Sequence, residues 1–143
     1  MDRCKPRTSM TWPGFGMIVL LLASGLFLPF SSEAVITTRV SVASDGSQGN
    51  DYSNNPSISA DGRFVAFRSL ASNFVLGDTN GKEDIFVHDR QTGQISRISV
   101  TSDGTEGNDH SYSPSISTDG RFVAFTSYAS NLVHGDTNGK MDI

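Results

Sequence analysis

Asp61-Gly62-Arg63-Phe64-Val65-Ala66-Phe67 recurs 58 residues further on as Asp119-Gly120-Arg121-Phe122-Val123-Ala124-Phe125. The match extends outward without a gap: Val42 to Ile85 aligns with Val100 to Ile143, and 32 of those 44 positions are identical. A second shared run is Gly77-Asp78-Thr79-Asn80-Gly81-Lys82, against Gly135 to Lys140. Identity at one constant shift marks an internal duplication, and repeats of this period build solenoids, propellers or arrays.

Each repeat reads as four short strands. Pro56-Ser57-Ile58-Ser59 is the first, and Asp61-Gly62 predicts a two-residue type I′ hairpin, whose positive φ values Asp-Gly tolerates. Phe64-Val65-Ala66-Phe67 is the second, apolar on both faces as in a strand covered on both sides. A long connection, Leu70 to Glu83, leads to a third strand at Asp84-Ile85-Phe86-Val87-His88. Gly93 sits in the next turn, and Ile95 to Val100 forms a fourth, more polar strand suited to an outer edge. No segment past residue 34 sustains the 3.6-residue apolar period of a helix. The predicted fold is therefore all-β: a β-propeller of four-stranded antiparallel blades, of which about two are present. Thr37 to Val42 resembles Ile95 to Val100 and predicts an outer closing strand over 37–42. A blade over 56–100 and a partial blade over 114–143 follow it. The 109 residues past Ala34 fall short of two repeats, so closing a ring would need further C-terminal blades.

The chain is 143 residues with a formal net charge of −4. Arg3, Lys5 and Arg7 open it, an apolar run from Met17 to Phe30 follows, and Ser32-Glu33-Ala34 carries small residues at the first and third positions. That order predicts a secretory signal peptide over 1–34, cleaved after Ala34. The apolar run is shorter than the roughly 20 residues that span a bilayer, so no stable membrane insertion is expected after cleavage. Residues 35–143 carry 8 basic and 13 acidic side chains, which disfavours a nucleic-acid phosphate track. Cys4 is the only cysteine, which excludes a disulfide, thiolate metal site or cysteine nucleophile from the remainder.

The pattern Ser-x-Asp-Gly-Arg-Phe-Val-Ala-Phe, followed by Asp84-Ile85-Phe86-Val87-His88-Asp89-Arg90 and Ile95-Ser96-Arg97-Ile98-Ser99-Val100, resembles the TolB-type, WD-repeat-like propeller blade. The resemblance runs from about Thr37 onward. It implies a periplasmic or secreted propeller acting as a protein-binding scaffold, in some members joined to a catalytic domain. The connection between second and third strands is longer here than in a lean blade of that kind.

Two sets of residues are candidate sites. Asp78, Asn80 and Asp84, repeated as Asp136, Asn138 and Asp142, place oxygen ligands at alternate positions around a Gly bend, as calcium loops do. The plainer alternative is a turn at Asn80-Gly81 with the carboxylates bonded to nearby backbone N–H groups. Asn50-Asp51-Tyr52 and Asn108-Asp109-His110 precede the first strands, at what would be one mouth of a propeller, and are candidate ligand-binding residues. Their alternative is also a polar turn. His88, His110 and His134 lack the spacing of a metal or catalytic group. No phosphate-loop or Gly-x-Ser-x-Gly signature is present. The sequence thus points to a non-catalytic scaffold, without a cofactor unless calcium serves structurally, that binds a protein or glycan in the cell envelope or outside the cell. The propeller portion of a larger hydrolase or peptidase, and a calcium-stabilised structural repeat protein, stand as alternatives.

Overall fold

The computed structural model describes residues 35–143; the signal peptide read in 1–34 lies outside the described residues. These residues are all-β, with no helix, in two antiparallel sheets. The first has four strands in sequential order: β1 (Ser53–Ile58), β2 (Phe64–Ser69), β3 (Asp84–Asp89) and β4 (Gln94–Arg97). The second pairs β5 (Ser111–Ile116) with β6 (Val123–Ser127). Strands β5 and β6 repeat the register of β1 and β2 pair for pair, including a bulge after Asn54 and after Tyr112.

The central strands are the ones the sequence marks as apolar. Along β2, residues 65 and 67 turn to one face and 64, 66 and 68 to the other, as strand geometry requires. Val65 and Phe67 join Ala43, Ala71, Phe74, Phe86 and Ile95 in the core of the first repeat. Three phenylalanines interlock there: Phe67 and Phe74 meet edge-on at 5.7 Å between centroids, Phe74 and Phe86 edge-on at 5.1 Å, and Phe67 stacks on Phe86 at 6.0 Å. Gly49 is built around this trio, because a Cβ there would lie 2.5 Å from the Phe74 ring. In the second repeat Leu132 replaces Phe74, and Gly107 has room for a Cβ at ordinary distances.

The other face of the first sheet receives the second repeat. Ala60 N–H donates to the Thr118 carbonyl (3.0 Å), and Ser111 N–H to the Glu83 carbonyl (2.8 Å). Ile116 N–H donates to the Ser57 hydroxyl (3.1 Å). Phe64 covers the turn at Gly120, where a Cβ would come within 2.4 Å of its ring. Pro114 is buried while its counterpart Pro56 is exposed, so β1 presents outward the surface that β5 buries.

One expectation is corrected. The turn between β1 and β2 is not a two-residue type I′ hairpin: it spans residues 59–63, with a Gly62 N–H to Ser59 carbonyl bond (2.9 Å) and only Gly62 at positive φ (72°). The Ser59 side chain decides this. Its hydroxyl donates to Asp61 Oδ1 (2.5 Å) and accepts from Phe64 N–H (3.0 Å), so local side-chain bonds shape the loop in place of a tighter hairpin. Within 37–42, the segment expected to close a last blade, the described residues show one bridge, Val42 with Gln48. A strand needs a neighbouring edge, and no described strand pairs with this segment.

His88 sits in the β3 ladder between Val65 and Ile95. It is 7% exposed, and its Nδ1 has no hydrogen-bond partner among the described residues. Burial, reinforced by Arg90 and opposed by Asp89, lowers its pKa from the ordinary 6.5. A folded value below the unfolded one means the unfolded chain binds the proton more tightly. The stability from the neutral ring is therefore complete above pH 6.5 and lost as pH falls below it, with a slope of at most about 1.4 kcal/mol per pH unit. Denaturant melts between pH 7.5 and 5 should show this limb, and His88→Leu should flatten it; a slope unchanged in the variant would place its origin elsewhere.

Candidate functional site

The twelve positions that differ between the aligned repeats are the natural place to look for a site, since identity serves packing that both copies share. Five of the twelve pairs (Tyr52/His110, Asn54/Tyr112, Arg68/Thr126, Leu70/Tyr128 and Glu83/Met141) contribute side chains to one cluster where the second repeat meets the first. The chain has three tyrosines, and all three are there.

Glu83 is the centre of this seam. Its side chain is 8% exposed, and its carboxylate accepts from Arg68 Nη1 (3.3 Å) and from the Tyr52 hydroxyl (3.3 Å). Its backbone N–H donates to His110 Nδ1 (3.0 Å), which places the proton of the neutral His110 ring on Nε2. Arg68 also donates through Nε to Asn54 Oδ1, and its guanidinium lies over the Tyr112 ring at 5.2 Å. His110 stacks on Tyr112 at 5.9 Å, and Tyr128 meets Tyr112 edge-on at 6.3 Å. Desolvation first, and then the Glu83 carboxylate, push the phenols of Tyr52 and Tyr112 above their ordinary value. At the margin, Lys82 Nζ pairs with Asp109 Oδ1 (3.2 Å).

Backbone geometry helps form the surface. The bulges put Asn55 (φ 51°) and Ser113 (φ 50°) in the left-handed region, a conformation that non-glycine residues adopt at a cost of order 1 kcal/mol or more. Each bulge re-aims its strand, and Ser113 directly follows Tyr112. Tyr52 and Tyr128 remain about half exposed, at 52% and 48%. The result is a face of aromatic rings interleaved with a guanidinium and a carboxylate.

Of the residues expected to bind a ligand, Tyr52 and His110 are brought together here, on either side of Glu83. Asp51 and Asp109 accept from the N–H groups of Tyr52 (2.7 Å) and His110 (2.8 Å). Asn50 and Asn108 are engaged internally: Asn50 exchanges bonds with Ser72 (3.0 and 2.9 Å) and its N–H donates to Asn73 Oδ1 (2.9 Å), and Asn108 does the same with Ser130 and Asn131. These two asparagines fasten the long connection to the start of each repeat. Arg68, Glu83, Tyr112 and Tyr128 escaped the pattern reading, because singly they look like strand or loop residues; the signal that identifies them is their failure to repeat.

In the first repeat, two of the residues expected to hold calcium, Asp78 and Asp84, converge on an arginine. Arg97 Nη1 lies 3.3 Å from Asp78 Oδ1, 3.3 Å from Asp84 Oδ2 and 2.9 Å from Glu106 Oε2. Asn80 turns its amide nitrogen, a donor, to Asp84 (3.0 Å), while its oxygen accepts from Lys82 N–H (2.8 Å). The guanidinium supplies the positive charge that the spacing suggested an ion would bring. In the second repeat Asn138 Nδ2 donates to both oxygens of Asp142 (2.9 and 3.2 Å), and Asp136 Oδ1 accepts from Asn138 N–H (3.4 Å). Among the described residues no group of three or more His, Cys, Asp or Glu side chains is arranged to hold a metal ion.

No protein-family model matches this chain, and no curated protein matches it significantly.

Proposed function

We propose that this chain belongs to an exported, non-catalytic β-propeller scaffold of the TolB-like kind, and that its seam face binds a protein or a polymer such as a glycan. The observation that carries the site is the gathering of copy-divergent aromatic and charged side chains around Glu83. Five of the twelve differing pairs meet in this one cluster, while 32 of the 44 aligned positions are identical. Tyrosine and arginine are the residue types that dominate binding hot spots, and half-exposed rings beside fixed hydrogen-bonding groups suit a sugar face or a peptide equally well. Support for the propeller comes from the four-stranded antiparallel sheet, from a second repeat laid across its face, and from β1 presenting outward the surface that β5 buries. The leader read in residues 1–34 supports a scaffold in the periplasm or outside the cell. A binding role also suits the chemistry: the Glu83 carboxylate is occupied by Arg68 and Tyr52, and His110 Nδ1 by a backbone N–H, which leaves no nucleophile beside a free base.

The test uses 3-fluorotyrosine, since every tyrosine in the chain reports on the seam. The labelled full chain would be titrated with soluble peptidoglycan fragments, envelope polysaccharides and extended peptides, with fluorine resonances as the readout. One class should move the three signals together, and Tyr52→Ala or Tyr128→Ala should weaken that interaction about tenfold or more. A ligand that binds while all three resonances stay still would overturn the assignment of the seam.

A further inference from the structure

Among the described residues, strand β6 is paired with a strand on one edge only. Its other edge carries a single bridge, Ser127 with Asp142, in which each N–H donates to the other's carbonyl at 2.9 Å. This is the register of Ser69 with Asp84, the first rung of the ladder between β2 and β3. By the alternation of an antiparallel strand, the N–H and C=O groups of Val123 and Phe125 point to that same open edge. Beside it lies a groove of about 170 Å³ lined by Val123, Phe125, Ala129, Leu132, Val133 and Ile143. A dry apolar cavity of roughly 150 Å³ accepts a benzene-sized group.

The first repeat shows what fills this space. Val65, Phe67, Ala71 and Phe74, the counterparts of Val123, Phe125, Ala129 and Leu132, are all buried, and the groups that cover them are Phe86 of β3 (0% exposed) and Ile95 of β4 (6%). We propose that the β6 edge and its groove form an acceptor site for an extended segment of the β3–β4 sequence type, supplied by a further repeat of this kind. The segment would continue antiparallel from the Ser127–Asp142 rung and seat its aromatic side chain in the groove opposite Phe125. Two open backbone hydrogen-bonding positions give the register, and the apolar groove selects the aromatic, as in strand-addition recognition generally. This inference does not depend on what the seam face binds, nor on ring closure.

The probe is a synthetic peptide with the sequence Asp84–Arg97, added to the full chain and followed by amide hydrogen exchange and fluorescence anisotropy. The peptide should protect the Val123 and Phe125 amides. The same peptide carrying Phe86→Ala should bind roughly tenfold or more weakly, since burying a phenylalanine side chain is worth about 1.5–3 kcal/mol. Because both probes are peptides, the protein's own fold is unaltered between arms. Absence of binding, binding without protection at β6, or equal affinity of the two peptides would each overturn the proposal. Protection of these amides by self-association alone, in a dimer that the peptide cannot displace, would overturn it in favour of a second copy as the occupant.

Discussion

Phe86→Ala should destabilise the fold by about 3–5 kcal/mol, the range for removing a fully buried aromatic side chain. Phe86 is 0% exposed and contacts Phe67 and Phe74 at centroid distances of 6.0 and 5.1 Å. It shares one core cluster with Val65 and Ala71, so its loss opens a cavity in that core. A domain of this size is held by only about 5–15 kcal/mol, and the change removes a large part of that. Urea titration monitored by circular dichroism should show the midpoint move sharply down. A shift under about 1 kcal/mol would mean that the three phenylalanines do not form the core. Phe125→Ala, whose ring lines the open groove beside β6, should cost far less; that contrast separates burial from residue type.

Arg97→Met should be comparably damaging for a different reason. The Arg97 side chain is 8% exposed, and its guanidinium is shared by Asp78, Asp84 and Glu106, whose side chains are 5%, 0% and 21% exposed. Removing one partner of a buried ionic group costs about 3–5 kcal/mol, because the remaining charge is left without compensation. Three carboxylates on one arginine already leave an excess of negative charge. Accordingly, burial first and then the charges of Asp84 and Glu106 raise the pKa of Asp78 to about 6, against the pull of Arg97. A carboxyl whose folded value lies above its unfolded 3.8 binds its proton more tightly in the fold. Its favourable contribution is complete below pH 3.8 and lost as pH rises through 6. The loss on Arg97→Met should therefore be larger at pH 8 than at pH 5, and adding Asp78→Asn should recover part of it at pH 8. Melts of the single and double variants at both pH values decide the matter; equal losses at the two would show that Asp78 does not carry the excess charge.

Much of the fold is legible in the sequence because its central strands are apolar on both faces. Phe64 to Phe67 and Asp84 to His88 sit within one residue of their expected starts, since a run of that length bounded by turn residues has few other ways to be buried. The turn at Asp61-Gly62 departs from a type I′ hairpin because its geometry belongs to a side chain, Ser59, two positions earlier. The segment 37–42 has the composition of β4 but no strand edge beside it, and composition cannot supply a partner. The candidate site is harder to read. Tyr52 and His110 stand out as a substituted pair, but their meeting at Glu83 depends on how the repeats pack. Arg97 was invisible as the charge partner of Asp78 and Asp84 for a similar reason: it lies thirteen residues past Asp84, and only the register of β3 with β4, pairing it with Phe86, turns it onto the same face.

The seam is the feature on which both the repeat packing and the proposed site depend, and a nuclear Overhauser spectrum of the labelled full chain tests it most directly. Cross-peaks between the Phe64 ring and the α protons of Gly120, and between the Tyr112 ring and the Arg68 side chain, are the expected result. Gly62, which faces Arg90 in place of an aromatic ring, should lack the ring-current shift that Gly120 shows. A well-dispersed spectrum in which Gly62 and Gly120 have matching shifts, and Tyr112 has no contact with the first repeat, would contradict this arrangement.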